Sequence, residues 1–156
     1  MKKVLLSLAA LFLAVAFVSC GASVPTEVDV IEGDSPAAIA ATINKTLEPV
    51  VIDGFAFNSA RVPSLMVVSG ISSVVMSAQK SVPAGFVLTV EGHNDKFEGK
   101  SAIGHRRAKA VMYELRALGM DLGNVRAVNS YDKKLVPEKD AGAPLQRRVT
   151  FRVVKK

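Results

Sequence analysis

The sequence predicts an α/β (α+β) domain in which two main helices pack on one face of a mixed four-stranded sheet. Short apolar runs suited to strands alternate with stretches in which apolar residues recur every three or four positions, as they do in helices. The resulting order, β-α-β-α-β-β, is typical of helices layered on one side of a sheet.

The four strands are predicted from apolar runs bounded by turn residues. The first covers residues 50–52 and bends before Phe55 and Phe57, which we expect on one face. The second, "FVLTV" (86–90), is apolar on both faces, as a buried strand is. The third and fourth are "VRAVNS" (125–130) and the alternating "VTFRVV" (149–154).

The two main helices are predicted from apolar stripes with helical spacing. Pro63 opens the first, Ser101 is the expected N-cap of the second, and Gly119 is its left-handed stop. The stripes are Leu65, Val68, Ile71, Val75 and Ala78 in the first helix, and Ala108, Val111, Met112, Leu115 and Leu118 in the second.

The chain begins with a segment typical of an export signal. Lys2 and Lys3 precede a run from Val4 to Val18 that is apolar except for Ser7. This run is too short for a comfortable membrane-spanning helix. It ends at the chain's single cysteine, which has no second cysteine for an internal disulfide.

The segment "FVSC" at residues 17–20 resembles the end of a bacterial lipoprotein signal. The resemblance implies that Cys20 becomes an acylated N-terminus, carrying palmitate or a related chain. Stable anchoring needs more than one acyl chain, which a multiply acylated cysteine provides. The resemblance further implies, from Gly21 rather than aspartate after the cysteine, an anchor in the outer membrane with the domain facing the periplasm. An ordinary secretory signal that happens to end in cysteine is the alternative.

The domain organisation follows from these segments. Residues 1–19 are the predicted lipoprotein signal peptide, residues 20–46 a tether carrying a short helix after Ser35, and residues 47–156 the folded domain. The net charge of +6 falls to +4 when the predicted signal peptide is removed with Lys2 and Lys3, because 18 of the 20 basic residues remain against 14 acidic ones. With no tryptophan and no basic patch interleaved with aromatics, nucleic acid is not an expected partner.

Asp95 and Arg107 are the residues that most suggest a binding site. Asp95 follows a buried strand, and Arg107 lies about two turns into the next helix, where it can face the same crevice. A carboxylate binds an ammonium and a guanidinium binds a carboxylate. The pair could therefore hold a doubly charged ligand. From spacing alone, the preferred explanation is a solvated loop acid and a helix-surface arginine.

Three segments, "VEGHND", "RRAKAV" and "QRRVTFRV", resemble in order the signatures of the OmpA-like peptidoglycan-binding domain. That family occurs in outer-membrane proteins, Pal-type lipoproteins and motility stators. The matching residues are Gly92, His93 and Asp95, then Arg107 and Ala108, then Arg147, Arg148 and Val149. The departures are Asn94 for threonine, Ile103-Gly104 for Leu-Ser, and Gln146 for asparagine.

The resemblance implies non-covalent binding of the diamino acid of the peptidoglycan stem peptide, diaminopimelate or another, without a cofactor. The position of Asp95 takes the ammonium and that of Arg107 a carboxylate. Asn58, within "GFAFNSARV", adds an amide contact, and Asn94 is placed beside the ligand. The expected supporting residues are His93, Lys100, Arg147 and Arg148.

The loop between Asp95 and Arg107 is shorter than is usual in the family, and Lys100 stands where the family has an asparagine. The change could narrow the pocket, repel the ammonium or suit another stem peptide. If the diamino acid were ornithine, Arg107 would need a different carboxylate, such as the terminal one of the peptide. An OmpA-like module that has lost wall binding and serves an envelope protein partner is the second hypothesis.

A metal site or a hydrolase is a weaker alternative for the same region. Glu91, His93, Asp95 and His105 could supply ligands or an acid and a base. The sequence has only these two histidines and contains no H-E-x-x-H or G-x-S-x-G motif. We therefore expect neither a metal nor an enzyme.

Overall fold

Helices and strands alternate along the chain in a computed structural model that describes residues 35–99, 101–130 and 143–156. In chain order the elements are α1 (Pro36–Leu47), β1 (Val51–Ile52), α2 (Leu65–Lys80), β2 (Phe86–Gly92), α3 (Ile103–Ala117), β3 (Val125–Asn129), α4 (Ala143–Gln146) and β4 (Val149–Lys155). The predicted signal peptide, Cys20 and Lys100 lie outside the described residues.

The four strands form one mixed sheet in the order β1-β4-β2-β3. β2 runs parallel to β3 and antiparallel to β4, while β1 pairs antiparallel with the start of β4. α3 connects β2 to β3, as a crossover must when two neighbouring strands are parallel. The predicted fold class is thereby confirmed.

One apolar core lies between the sheet and the three longer helices. β4 contributes Val149, Phe151 and Val153, which are buried, while Arg152 between them is exposed. α1 and α3 pack against the sheet, and α2 packs against both helices. Three helices therefore cover the core: α2 and α3, which were predicted as the main pair, and α1, which was predicted as a short helix of the tether.

Helix α1 belongs to this core. It begins at Pro36, where the Ser35 hydroxyl accepts the N–H of Ala38, and it buries Ile43 and Leu47 completely. β1 pairs with only the first two residues of β4, which leaves the rest of that edge open. The Asn44 amide closes part of it, donating to the Val153 carbonyl at 2.9 Å and accepting the Val153 N–H at 2.7 Å. The predicted domain boundary at residue 47 thus falls at the end of a helix that packs into the domain.

Several local predictions are wrong. Leu65 and Leu118, placed in the apolar stripes of α2 and α3, are 62% and 44% exposed. Phe55 is buried but Phe57 is 57% exposed, because the chain turns after Ala56 and Asn58 adopts a left-handed backbone with φ of 53°. Ser101 does not cap α3, whose N-cap is Ala102 without a side-chain hydrogen bond. The left-handed stop at Gly119 is confirmed by its φ of 101°. None of the helices in the described segments is both long and apolar enough to cross a membrane.

Candidate binding site around Arg107

Close contact between two glycines brings the end of β2 against the start of α3. A Cβ on Gly92 would overlap the carbonyl of Gly104, and a Cβ on Gly104 would overlap the carbonyl of Gly92 and the side-chain oxygens of Asn94 and Asn129. Only glycine at both positions permits this approach. The second turn of α3, which carries Arg107, therefore lies directly beside the loop after β2.

Arg107 is completely buried, and every one of its five N–H groups has an acceptor within the chain. Nε donates to the Ser59 carbonyl at 2.9 Å, and the two terminal nitrogens donate to the carbonyls of His93 at 2.9 Å and Ala56 at 3.1 Å. The two remaining N–H groups donate to the Glu98 carboxylate, at 2.7 Å and 2.5 Å. This is the bidentate arrangement in which guanidinium and carboxylate bind most strongly.

The Glu98 carboxylate also accepts two backbone N–H groups, from Asn58 at 2.8 Å and from Asp95 at 3.3 Å. We call the Arg107 guanidinium together with these two backbone N–H groups the carboxylate cradle. Both charged side chains of the pair have no exposed surface. The Phe55 ring lies 5.4 Å from the Arg107 guanidinium carbon and adds a cation–π contact.

Asp95 is 1% exposed and has a cationic partner of its own. One carboxylate oxygen accepts the backbone N–H groups of Phe97 and Glu98, at 2.9 Å and 2.8 Å. The other accepts Nη1 of Arg147 at 2.7 Å, while Nε of Arg147 donates to the Phe55 carbonyl at 2.7 Å. Arg147, named from the sequence as a supporting residue, thus contacts the loop carboxylate.

Asp95 and Arg107 therefore lie in one network without facing each other across an open cleft. The sequence led us to expect an empty gap between opposite charges, but the Glu98 carboxylate occupies the two N–H groups of Arg107 that were expected to face the gap. Glu98 was not among the predicted site residues. The signal for it was Arg107 itself, whose place on the buried stripe of α3, four residues before Val111, requires a nearby acid.

The remaining predicted residues shape the loop. Asn58 is exposed and reaches the network through its backbone N–H rather than its side-chain amide. Asn94 is buried and donates to the carbonyls of Gly99 and Ser101, at 2.9 Å and 2.8 Å, which holds the loop against α3. Lys100, expected as a support, lies outside the described residues.

His93 and Arg148 lie on the sheet side of the loop. The His93 ring nitrogen Nε2 is 2.8 Å from the Thr150 hydroxyl, and the ring is buried. Burial lowers the pKa of Arg148, and attraction to Asp53 opposes that shift. Among the described residues, no group of three or more histidines, cysteines or acids could hold a metal ion.

Comparison with solved structures identifies the fold. The peptidoglycan-associated lipoprotein of Burkholderia pseudomallei is similar with a TM-score of 0.52 and 21% identity, over 67% of this chain and 89% of that one. The C-terminal domain of Helicobacter pylori MotB is similar with a TM-score of 0.54 and 14% identity, over 68% of this chain and 84% of that one. The domain has an OmpA-like fold.

The OmpA-like fold confirms the architecture expected from the three sequence segments. The periplasmic domain of Helicobacter pylori MotB is also similar, with a TM-score of 0.51 and 14% identity, over 67% of this chain and 69% of that one. No protein-family model matches the sequence, and no curated protein matches it significantly.

Proposed function

We propose that this chain is a lipid-anchored envelope protein whose OmpA-like domain binds peptidoglycan without covalent chemistry. The single observation that carries the proposal is the carboxylate cradle, in which a buried guanidinium and two backbone N–H groups converge on one carboxylate. The diamino acid of a peptidoglycan stem peptide presents such a carboxylate. Its ammonium would be taken by Asp95, the one buried acid besides Glu98 among the described residues.

The proposed ligand enters as a replacement for the Glu98 side chain. Its carboxylate would accept the same two N–H groups of Arg107 and the same backbone N–H groups of Asn58 and Asp95. The Asp95 carboxylate would then share its charge between the ligand's ammonium and Arg147. Since such contacts bind and orient the ligand without any bond being made or broken, we propose a binding protein rather than an enzyme.

The anchor proposed for the same protein is Cys20, acylated after export. A lipid at Cys20 would hold the chain in the outer membrane, and the residues between it and α1 would let the domain reach the cell wall. The similarity of the fold to a protein named as a peptidoglycan-associated lipoprotein supports this arrangement. The proposed partners are therefore peptidoglycan and the membrane, with no nucleic acid.

Sedimentation with purified sacculi tests the proposal. We expect the wild-type protein to pellet with sacculi and the double variant Glu98→Gln/Arg107→Met to remain in the supernatant. Removing both charges together avoids leaving one of them buried without a partner. Glu48→Ala, at an exposed glutamate after α1, is the matched control and should pellet as the wild type does.

A second candidate is favoured by one specific observation, namely that all five N–H groups of Arg107 are already used within the chain. On that basis the pair would serve only to stabilise the loop, and the domain would bind a protein partner in the envelope. The same experiment separates the two candidates. Equal behaviour of the wild type and the double variant would favour the interaction module and contradict wall binding at this site.

A further inference from the structure

We propose that Glu98 is an internal ligand of the carboxylate cradle, so that an external carboxylate binds only by displacing it. The inference rests on the proposed function for the identity of the external ligand, but not for the competition itself. Glu98 would then determine the affinity and the selectivity of the site, because only a carboxylate able to occupy the bidentate position can take its place.

The position of Glu98 in the loop suits displacement. Its neighbour Phe97 is 69% exposed and Lys96 is exposed, so the side chains of this turn other than Glu98 contribute little to the core. The turn is held from within by the Glu98 carboxylate and by the Asp95 carboxylate, which accepts the N–H groups of Phe97 and Glu98. Neither Lys96 nor Phe97 therefore has to leave the core when the Glu98 side chain moves outward.

The environment of Arg107 explains why an internal ligand is needed. A guanidinium without exposed surface is costly to leave without an opposite charge, whereas exchange of one carboxylate for another conserves the pairing. Glu98 keeps the cradle occupied when no ligand is present and competes when one arrives. If the closed form is 99% populated, the apparent affinity for an external carboxylate falls about 100-fold.

Acetate is the probe that tests the cradle without peptidoglycan. We expect Glu98→Ala to unfold at a lower temperature than the wild type, and acetate to raise that temperature when chloride at equal ionic strength does not. The wild type and Glu48→Ala should show no difference between acetate and chloride. Absence of an acetate effect on Glu98→Ala would overturn the inference.

Sacculus binding tests the competition. We expect Glu98→Ala to bind sacculi at least about tenfold more tightly than the wild type, because no internal carboxylate has to be displaced. Where the wild type binds sacculi, equal or weaker binding by the variant would contradict the inference. If Glu98→Ala does not fold with or without acetate, Glu98→Gln decides by the same two measurements, since the amide keeps the size of the side chain but carries no charge to compete with an external carboxylate.

The two experiments separate failure of the inference from failure of the proposed function. An acetate effect on Glu98→Ala, with no protein binding sacculi, would support the internal ligand and contradict wall binding. Sacculus binding that is unchanged in Glu98→Ala, with no acetate effect, would support wall binding and overturn the internal ligand.

Discussion

At the scale of single residues, the pair formed by Arg107 and Glu98 is the most consequential feature of the domain. Sequence segments could identify Asp95 and Arg107 because they lie at fixed places beside a strand end and on a helix. Glu98 lies in an irregular loop, where no periodicity relates its position to that of Arg107. Its role becomes visible only when the loop is folded back over α3.

The pair gives a sharp prediction about stability. Arg107→Ala leaves the Glu98 carboxylate buried without its cation, and we expect a loss of about 3–5 kcal/mol in the free energy of unfolding. The double variant Glu98→Gln/Arg107→Met removes both charges and should lose clearly less than the two single substitutions added together. Denaturant unfolding of the wild type, Arg107→Ala, Glu98→Gln, Arg107→Met and the double variant measures this. A loss below about 1 kcal/mol in Arg107→Ala would show that the pair contributes little.

At the scale of elements, the contact between β2 and α3 positions the site. Ile103-Gly104 is a departure from the Leu-Ser of the OmpA-like signature, and the sequence alone gave no reason for it. The structure supplies one, because the side-chain oxygens of Asn94 and Asn129 occupy the space that a side chain at Gly104 would need. Neither of these oxygens has a hydrogen-bond partner among the described residues.

Alanine substitutions at two helical glycines, one inside this contact and one outside it, test the contact. Gly104→Ala should destabilise the domain by about 1–3 kcal/mol, because its Cβ would overlap backbone and side-chain oxygens. Gly70→Ala, on the exposed face of α2 with no atom near its Cβ, should stabilise it by about 0.5–1 kcal/mol. Thermal and denaturant unfolding measure both. If both variants were destabilised equally, the close contact at Gly104 would not explain the loss of stability in Gly104→Ala.

Element boundaries were predictable where periodicity or a stop residue defines them. The part of the α2 stripe from Val68 to Ala78 and the glycine after α3 are examples, since burial at helical spacing and a positive φ each leave a sequence signal. The start of α3 was not predictable from Ser101, because its hydroxyl oxygen accepts from the Asn94 amide at 3.4 Å and its carbonyl accepts N–H groups from Asn94 and Asn129. Tertiary hydrogen bonding replaced local capping there.

At the scale of the whole molecule, the order of strands and helices was sufficient to predict the layered fold. The exception is α1, which the sequence assigned to the tether because it is short and rich in alanine. Only Ile43 and Leu47 mark its buried face strongly, and two residues four positions apart are a weak signal. In the structure both are completely buried, and Asn44 between them hydrogen-bonds the edge of β4.

Truncation tests the place of α1. A protein beginning at residue 35 should unfold cooperatively, whereas one beginning at residue 48 should be much less stable, because it exposes the core surface that α1 covers. Leu47→Ala in the longer protein should cost about 2–5 kcal/mol, and Lys45→Ala, on the exposed face, should change little. Circular dichroism during denaturation measures each. Equal stability of the two truncated proteins would show that α1 does not stabilise the domain and belongs to the tether.

The most direct measurement of the central claim is a crystal structure of Glu98→Ala soaked with free diaminopimelate. We expect one ligand carboxylate in the position of the Glu98 carboxylate, accepting N–H groups from Arg107, Asn58 and Asp95, with the ligand's distal ammonium against the Asp95 carboxylate. A cradle that stays without ligand at saturating concentration, or a ligand whose carboxylates bind away from Arg107, would contradict it.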